Sequence, residues 1–125
     1  MILYAAADLI WASKIKATAD AMGLAARPVR TMEMLEARLA DTPEIKALLV
    51  DLDKGQEGLD LIARLRDAAK GAGPRERAIR VLAWGPHVAK DLLQAARDVG
   101  ANDIMTRGSF DAHMEETLLT LTGRS

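Results

Sequence analysis

The feature that most constrains the fold is a five-fold alternation of strand-like and helix-like segments. Short aliphatic runs lie at residues 1–6, 25–29, 45–50, 79–84 and 102–106. After each run, apolar residues recur at the spacing of one helix face. Strands that alternate with helices predict a parallel sheet joined by right-handed crossovers. We therefore predict an α/β fold in which a doubly wound, five-stranded parallel sheet carries helices on both faces.

Capping residues and glycines mark the ends of the predicted helices. Asp8 and Ser109 are the predicted N-caps of the first and fifth helices, because their side chains can accept hydrogen bonds from unpaired N–H groups. The fourth helix is predicted to end at Gly100. Its core-facing stripe consists of Val88, Leu92, Ala96 and Val99.

Composition limits the classes of protein to which the chain can belong. With 50% hydrophobic and 28% charged residues, it suits one globular domain spanning residues 1–125. A net charge of −1 argues against a nucleic-acid or membrane-surface partner, and no apolar run is long enough to span a bilayer. The absence of cysteine excludes thiol chemistry and fits a cytoplasmic location. Neither a glycine-rich phosphate loop nor a metal-ligand cluster is present.

One acidic residue stands where this kind of fold places its chemistry. The apolar run at residues 45–50 ends abruptly at Asp51. In open α/β sheets, ligands bind outside the carboxyl ends of the strands. Asp51 is therefore the first candidate for a reactive group.

The chain resembles the receiver domain of bacterial response regulators, which has a CheY-like, flavodoxin-like fold. The resemblance is carried by the alternation, by Asp51, by the Val-Gly-Ala-Asn-Asp segment at residues 99–103 and by the Gly-Leu-Asp-Leu segment at residues 58–61. It implies the strand order 2-1-3-4-5. It also implies that Asp51 is the candidate phosphoryl acceptor of a two-component pathway.

Several positions depart from the pattern of that family. Receivers carry an acid pair at the end of the first strand, where this chain has Ala6 and Ala7. Methyl groups cannot ligate Mg²⁺, which requires oxygen ligands. Asp8 and Asp53 are the nearby carboxylates, and Asp8 is already assigned as a helix cap. We expect no metal and no cofactor, with Mg²⁺ relevant only if Asp51 is phosphorylated.

The switch residues of the family are also absent. The hydroxyl at the end of the fourth strand is replaced by Gly85, and the aromatic residue of the fifth strand by Ile104. The resemblance places Arg107 where receivers have lysine. Two interpretations are open for Arg107, a fixed ion pair with Asp51 or an exposed side chain without a fixed partner. Because both halves of the switch are missing, the resemblance implies a degenerate receiver, or pseudo-receiver.

The remaining candidates have simpler alternatives. His87 at the mouth of the site is either a phosphoryl shuttle or general base, or an ordinary histidine of a loop or helix start, and the latter is favoured. Leu9 and Ile10 are either a contact patch or, as we favour, partly buried under a neighbouring loop. A basic stretch either meets an acidic partner or is a solvated face, and it comprises Arg64, Arg66, Lys70, Arg75, Arg77 and Arg80.

Three functions follow from these observations. The first is a stand-alone receiver-like module for signal transduction that acts by protein–protein interaction, without phosphorylation, Mg²⁺ or enzymatic turnover. Its partner, another protein or a second copy in a homodimer, would bind the face formed by the fourth helix, fifth strand and fifth helix. The second is a response regulator that catalyses its own phosphorylation on Asp51. The third is a small anion- or ligand-binding protein that uses the same mouth, with Arg107, His87 and the Gly85 N–H as donors.

Overall fold

The five predicted strands form one parallel sheet. The computed structural model describes residues 1–123. The strands are β1 (Ile2–Ala5), β2 (Ala26–Pro28), β3 (Ala47–Asp51), β4 (Arg80–Gly85) and β5 (Asp103–Thr106). They lie in the order β2-β1-β3-β4-β5, and every pairing is parallel. The predicted fold class and strand order are confirmed.

Helices cover both faces of the sheet. They are α1 (Leu9–Ala21), α2 (Met32–Asp41), α3 (Gln56–Arg66), α4 (Pro74–Arg77), α5 (Lys90–Asp98), α6 (Arg107–Ala112) and α7 (Met114–Leu121). Short 3₁₀ turns follow β3 at Leu52–Lys54 and α3 at Ala68–Lys70. Among residues 1–123, no helix combines the length and the hydropathy needed to cross a membrane.

Alternating side chains divide the interior into two cores. In β1, Leu3 and Ala5 pack with α2, α3 and α5, whereas Ile2 and Tyr4 pack with α1, α6 and α7. Because both faces of the sheet are covered, β3 is buried at every position. This double burial explains why the central strand reads as a continuous apolar run rather than as an alternating one.

The last helix differs from the prediction in where it begins, and it is broken into two helices. Thr106 rather than Ser109 is the N-cap, and its side chain accepts a hydrogen bond from the Ser109 N–H at 3.2 Å. Threonine and serine are both effective caps, so the end of β5 decides between them. His113, with φ of −122°, leaves helical geometry and separates α6 from α7.

The fourth predicted helix begins later than the pattern indicates. α5 starts at Lys90, and Val88 lies in the preceding turn, where 73% of it is exposed. A hydrogen bond from the Ala89 N–H to the Pro86 carbonyl closes that turn. The inward orientation predicted for Val88 is therefore wrong, while the other three stripe residues contact the core.

Candidate functional site

Asp51 is buried at the carboxyl end of β3 and both of its carboxylate oxygens are engaged. Only 1% of the residue is exposed. Its Oδ2 accepts a hydrogen bond from the Ala7 N–H at 2.9 Å, and its Oδ1 accepts one from the Asp53 N–H at 3.0 Å. The carboxylate thereby joins the loop after β1 to the 3₁₀ turn after β3.

The surroundings of Asp51 oppose its ionisation. Burial is the largest influence and raises the pKa of Asp51 above its ordinary value of 3.8. The charge of Asp53 also raises this pKa, whereas the two N–H donors and the charge of Arg107 lower it. Asp51 is therefore harder to ionise than a surface aspartate, despite its two hydrogen bonds.

Arg107 pairs with Asp53 and not with Asp51. Its Nη2 donates to Asp53 Oδ2, and the two side chains remain 40% and 43% exposed. The Arg107–Asp51 ion pair considered from the sequence is wrong, and so is an Arg107 without a fixed partner. The oxygens of Asp51 are engaged by the main-chain N–H groups of Ala7 and Asp53, whereas the Asp53 side chain is exposed and accessible to the guanidinium.

The end of β1 offers few oxygen ligands to a cation. Ala6 and Ala7 have only methyl side chains, and Ala7 uses its N–H to bind Asp51. The Oδ1 of Asp8 caps α1 by accepting from the Trp11 N–H at 2.9 Å. Within the described part of the chain, no three His, Cys, Asp or Glu residues group closely enough to hold a metal ion. These residues do not fit the Mg²⁺ site that the resemblance would imply.

Gly85 and Ile104 carry neither a hydroxyl nor an aromatic ring. Gly85 is the last residue of β4, and Leu52 packs over it so that an added Cβ would lie 3.3 Å from the Leu52 Cβ. Ile104 is partly buried and packs with the core on the side of α2, α3 and α5. Thr106, which is paired with Gly85 in the sheet, does carry a hydroxyl. That hydroxyl caps α6. No pattern in the sequence singled out Thr106.

His87 lies at the rim of a cavity of about 670 Å³. The histidine is exposed, and the structure gives it no hydrogen bond to Asp51. Other residues lining the cavity come from α1, the β4–α5 turn and the start of α6: Trp11, Pro86, Val88, Thr106, Arg107, Gly108 and Asp111.

An aromatic cluster supports this side of the site, and the sequence pattern did not reveal it. The Trp84 and Phe110 rings lie 4.8 Å apart, and Trp11 stacks on Phe110 with centroids 5.7 Å apart. Trp84 is fully buried and stands in register with Asp51. Three isolated aromatic residues gave no periodic signal, because they meet only through the packing of α1 and α6 on β4.

Leu9 and Ile10 are exposed rather than partly buried. Each is 75% exposed at the first turn of α1, so the partial burial that we favoured is wrong. Because Asp8 starts the helix, only the residues that follow at helical spacing, such as Ile15, turn toward the core. Together with Val88, they place apolar side chains on the edge of the molecule that holds Asp51.

The basic stretch is largely committed to contacts within the chain. Arg66 donates to four main-chain carbonyls and to Asn102, Arg75 to two carbonyls and Arg77 to one. Arg64 and Arg80 pair with acids, Glu36 and Asp103 respectively. These contacts favour a structural role for the stretch over an acidic partner.

The sheet order, the two helical layers and a buried aspartate at the end of β3 define the receiver-domain fold of two-component signalling proteins. Comparison with solved structures supports this. A response regulator from Thermotoga maritima is 19% identical, with a TM-score of 0.76 over 98% of this chain and 96% of that one. The NtrX receiver domain from Brucella abortus is 13% identical, with a TM-score of 0.78 over the whole of both chains.

A third similar structure contains a metal ion. The receiver domain of a sensor histidine kinase from Pseudomonas aeruginosa, solved with magnesium coordinated in its active-site cleft, is 17% identical. Its TM-score is 0.75 over 98% of this chain and 96% of that one. No family model matches the sequence, and no curated protein matches it. At these identities, the likeness establishes the fold.

Proposed function

We propose that this chain is a receiver-fold interaction module that signals through protein contact, without phosphorylation of Asp51 and without Mg²⁺. The observation that carries the proposal is the state of the Asp51 carboxylate. Both of its oxygens accept main-chain hydrogen bonds, and the adjacent Ala6 and Ala7 provide no side-chain ligand.

Phosphoryl transfer depends on neutralising the charge of the phosphoryl group. Divalent cations normally supply that neutralisation, and several oxygen ligands must hold them. Here Arg107, the cation whose charge lowers the pKa of Asp51, is paired with Asp53, and Gly85 has no hydroxyl to contact a phosphoryl oxygen. Burial also raises the pKa of Asp51 above its ordinary value. These features support a site that works without phosphoryl transfer.

The surface proposed for the partner is formed by α5, β5 and α7. β5 is an edge strand whose four residues are all partly exposed, which leaves one side of the sheet open to contact. A cleft of about 510 Å³ runs along it, with Arg97, Asp103, Met105 and Glu116 among its lining residues. Its mixed charges and apolar centre suit another protein, or a second copy of this chain.

The second candidate is autophosphorylation on Asp51, and one observation favours it. Asp51 occupies the carboxyl end of the central strand with Asp53 two residues away, so two carboxylates share one edge. Displacement of Arg107 would free the Asp53 carboxylate for a cation near Asp51.

Intact-mass measurement after incubation with acetyl phosphate and Mg²⁺ separates the two candidates. We expect no stable gain of one phosphoryl group in the wild-type chain. A gain that disappears in Asp51→Asn would overturn the first proposal and establish the second. As a further readout, Mg²⁺ bound beside Asp51 would quench the fluorescence of Trp84, which stands next to it in β4. We expect the fluorescence to be unchanged.

A further inference from the structure

The cavity beside Arg107 has the size and walls of a small-molecule site. Its volume of about 670 Å³ falls in the range typical of ligand pockets, about 300 to 1,000 Å³. Trp11, Pro86 and Val88 give it apolar walls, and Arg107 contributes a cation. Trp11 is held by stacking on Phe110, with an interplanar angle of 11°. The aromatic wall is therefore fixed before any ligand enters.

Arg107 has an unused donor at this cavity. Its Nη2 binds Asp53 and its Nε is buried, so neither is open to a ligand. Its Nη1 forms no hydrogen bond among the described residues, and the side chain is 40% exposed. A carboxylate matches the planar guanidinium better than a neutral group does.

The other acid at the cavity is already neutralised. Asp111 accepts a salt bridge from Lys14 at 2.7 Å, and Lys14 also lies 5.2 Å from the centroid of the Trp11 ring. His87 adds a further polar group at the rim. An incoming carboxylate would therefore have to bind the free Nη1 beside the Arg107–Asp53 pair.

We propose that this cavity binds a small carboxylate with an aromatic or aliphatic body. The carboxylate contacts Arg107, and the body lies against Trp11, Pro86 and Val88. A bound ligand would change the surroundings of Asp53 and Asp51. Ligand binding would then be the signal that this module receives, in the place of phosphorylation. The binding site itself does not depend on whether Asp51 accepts a phosphoryl group.

Phenylacetate is a suitable probe, with phenylacetamide and acetate as matched controls. We expect phenylacetate to give saturable NMR shifts at the Trp11 indole and at the Val88 and Gly108 amides, with a dissociation constant on the order of 1 mM. The neutral amide lacks the charge, and acetate lacks the apolar body. Each should therefore bind at least about tenfold more weakly, which corresponds to about 1.4 kcal/mol. Equal shifts with phenylacetate and phenylacetamide would overturn the carboxylate assignment.

Substitutions at the residues lining the cavity test whether phenylacetate binds there. Arg107→Met should weaken phenylacetate binding by at least about tenfold. Arg27→Met is the matched control, because Arg27 also forms an exposed ion pair but lies on β2, away from the cavity. Val88→Asp, at a residue 73% exposed, should weaken binding through charge repulsion without affecting folding. Unchanged affinity in both Arg107→Met and Val88→Asp, or no saturable shift at these amides, would refute the site.

Discussion

Arg107 donates to Asp53 across the mouth of the site, while Asp51 beneath it is bound only by main-chain N–H groups. Two carboxylates that are two residues apart therefore have different environments. Asp53 is an exposed partner of a cation, and Asp51 is a buried acceptor that holds two loops together. This division leaves Asp53, rather than Asp51, as the carboxylate that is open to solvent.

A double-mutant cycle should assign the partner of Arg107. For Arg107→Gln combined with Asp53→Asn, we expect a coupling free energy of about 0.2 to 1 kcal/mol, because both side chains are partly exposed. The coupling between Arg107→Gln and Asp51→Asn should be smaller. Urea denaturation measures both cycles. A larger coupling with Asp51 would show that the buried carboxylate is the true partner.

The same substitutions should move the pKa of Asp51 in opposite directions. Arg107→Gln removes a positive charge that lowers the pKa of Asp51, so that pKa should rise. Asp53→Asn removes a negative charge that raises it, so the pKa should fall. An NMR titration of the Asp51 carboxyl carbon reads out both variants. Shifts of the same sign in the two variants would contradict this electrostatic description.

The stability of the protein should depend on pH through Asp51. Its pKa is raised by burial in the folded state, so the unfolded chain releases this proton at lower pH. As pH rises from below 3.8 through the raised pKa, the unfolded state binds fewer protons. The free energy of unfolding of the wild type should therefore fall relative to that of Asp51→Asn.

Urea denaturation at a series of pH values tests this dependence. The comparison uses the change with pH rather than the absolute difference, because the asparagine amide also loses one of the two N–H contacts. A difference between the two proteins that stays constant from pH 3 to pH 7, roughly the window of carboxyl titration, would rule out a raised pKa.

Arg66 should be the most costly arginine to remove. Its guanidinium donates to the carbonyls of Gly100 and Ile79, and to those of two α4 residues, and it also reaches Asn102. Arg66→Ala leaves several of these acceptors unpaired and should cost about 2 to 4 kcal/mol of unfolding free energy. Arg80→Ala is the control. It breaks one exposed pair with Asp103, and should cost less than about 1 kcal/mol.

A side chain at position 85 should destabilise the protein, because Leu52 packs against Gly85. A Cβ there would lie 3.3 Å from the Leu52 Cβ, and the neighbouring side chain is fully buried. Gly85→Ser should therefore lower the free energy of unfolding by about 1 to 3 kcal/mol, through crowding and a poorly paired hydroxyl.

Gly108 on the same edge is the matched control for that substitution. An added Cβ meets nothing within 4 Å, and Gly108 lies in α6, so Gly108→Ala should be neutral or stabilising by up to about 1 kcal/mol. Thermal denaturation compares the two variants. A serine that is tolerated at position 85 without loss of stability would mean that Leu52 moves aside readily.

The sequence by itself determined the architecture. Aliphatic runs and helical spacings are local properties, so the alternation of segments was enough to predict the parallel sheet. A continuous apolar run likewise predicted that β3 is buried on both faces. The position of Asp51 at the end of β3 followed from the same pattern, whereas Ala6 and Ala7 were recognised as lacking the acid pair through the resemblance to receivers.

Only the tertiary structure decided which residues meet at the end of the sheet. The partner of Arg107, the packing of Leu52 over Gly85 and the joining of Trp11 to Trp84 all depend on how distant segments approach each other. Asp51 and Asp53 are chemically equivalent in the sequence. Turning of the chain after β3 buries one and exposes the other, and the guanidinium pairs with the carboxylate that remains accessible.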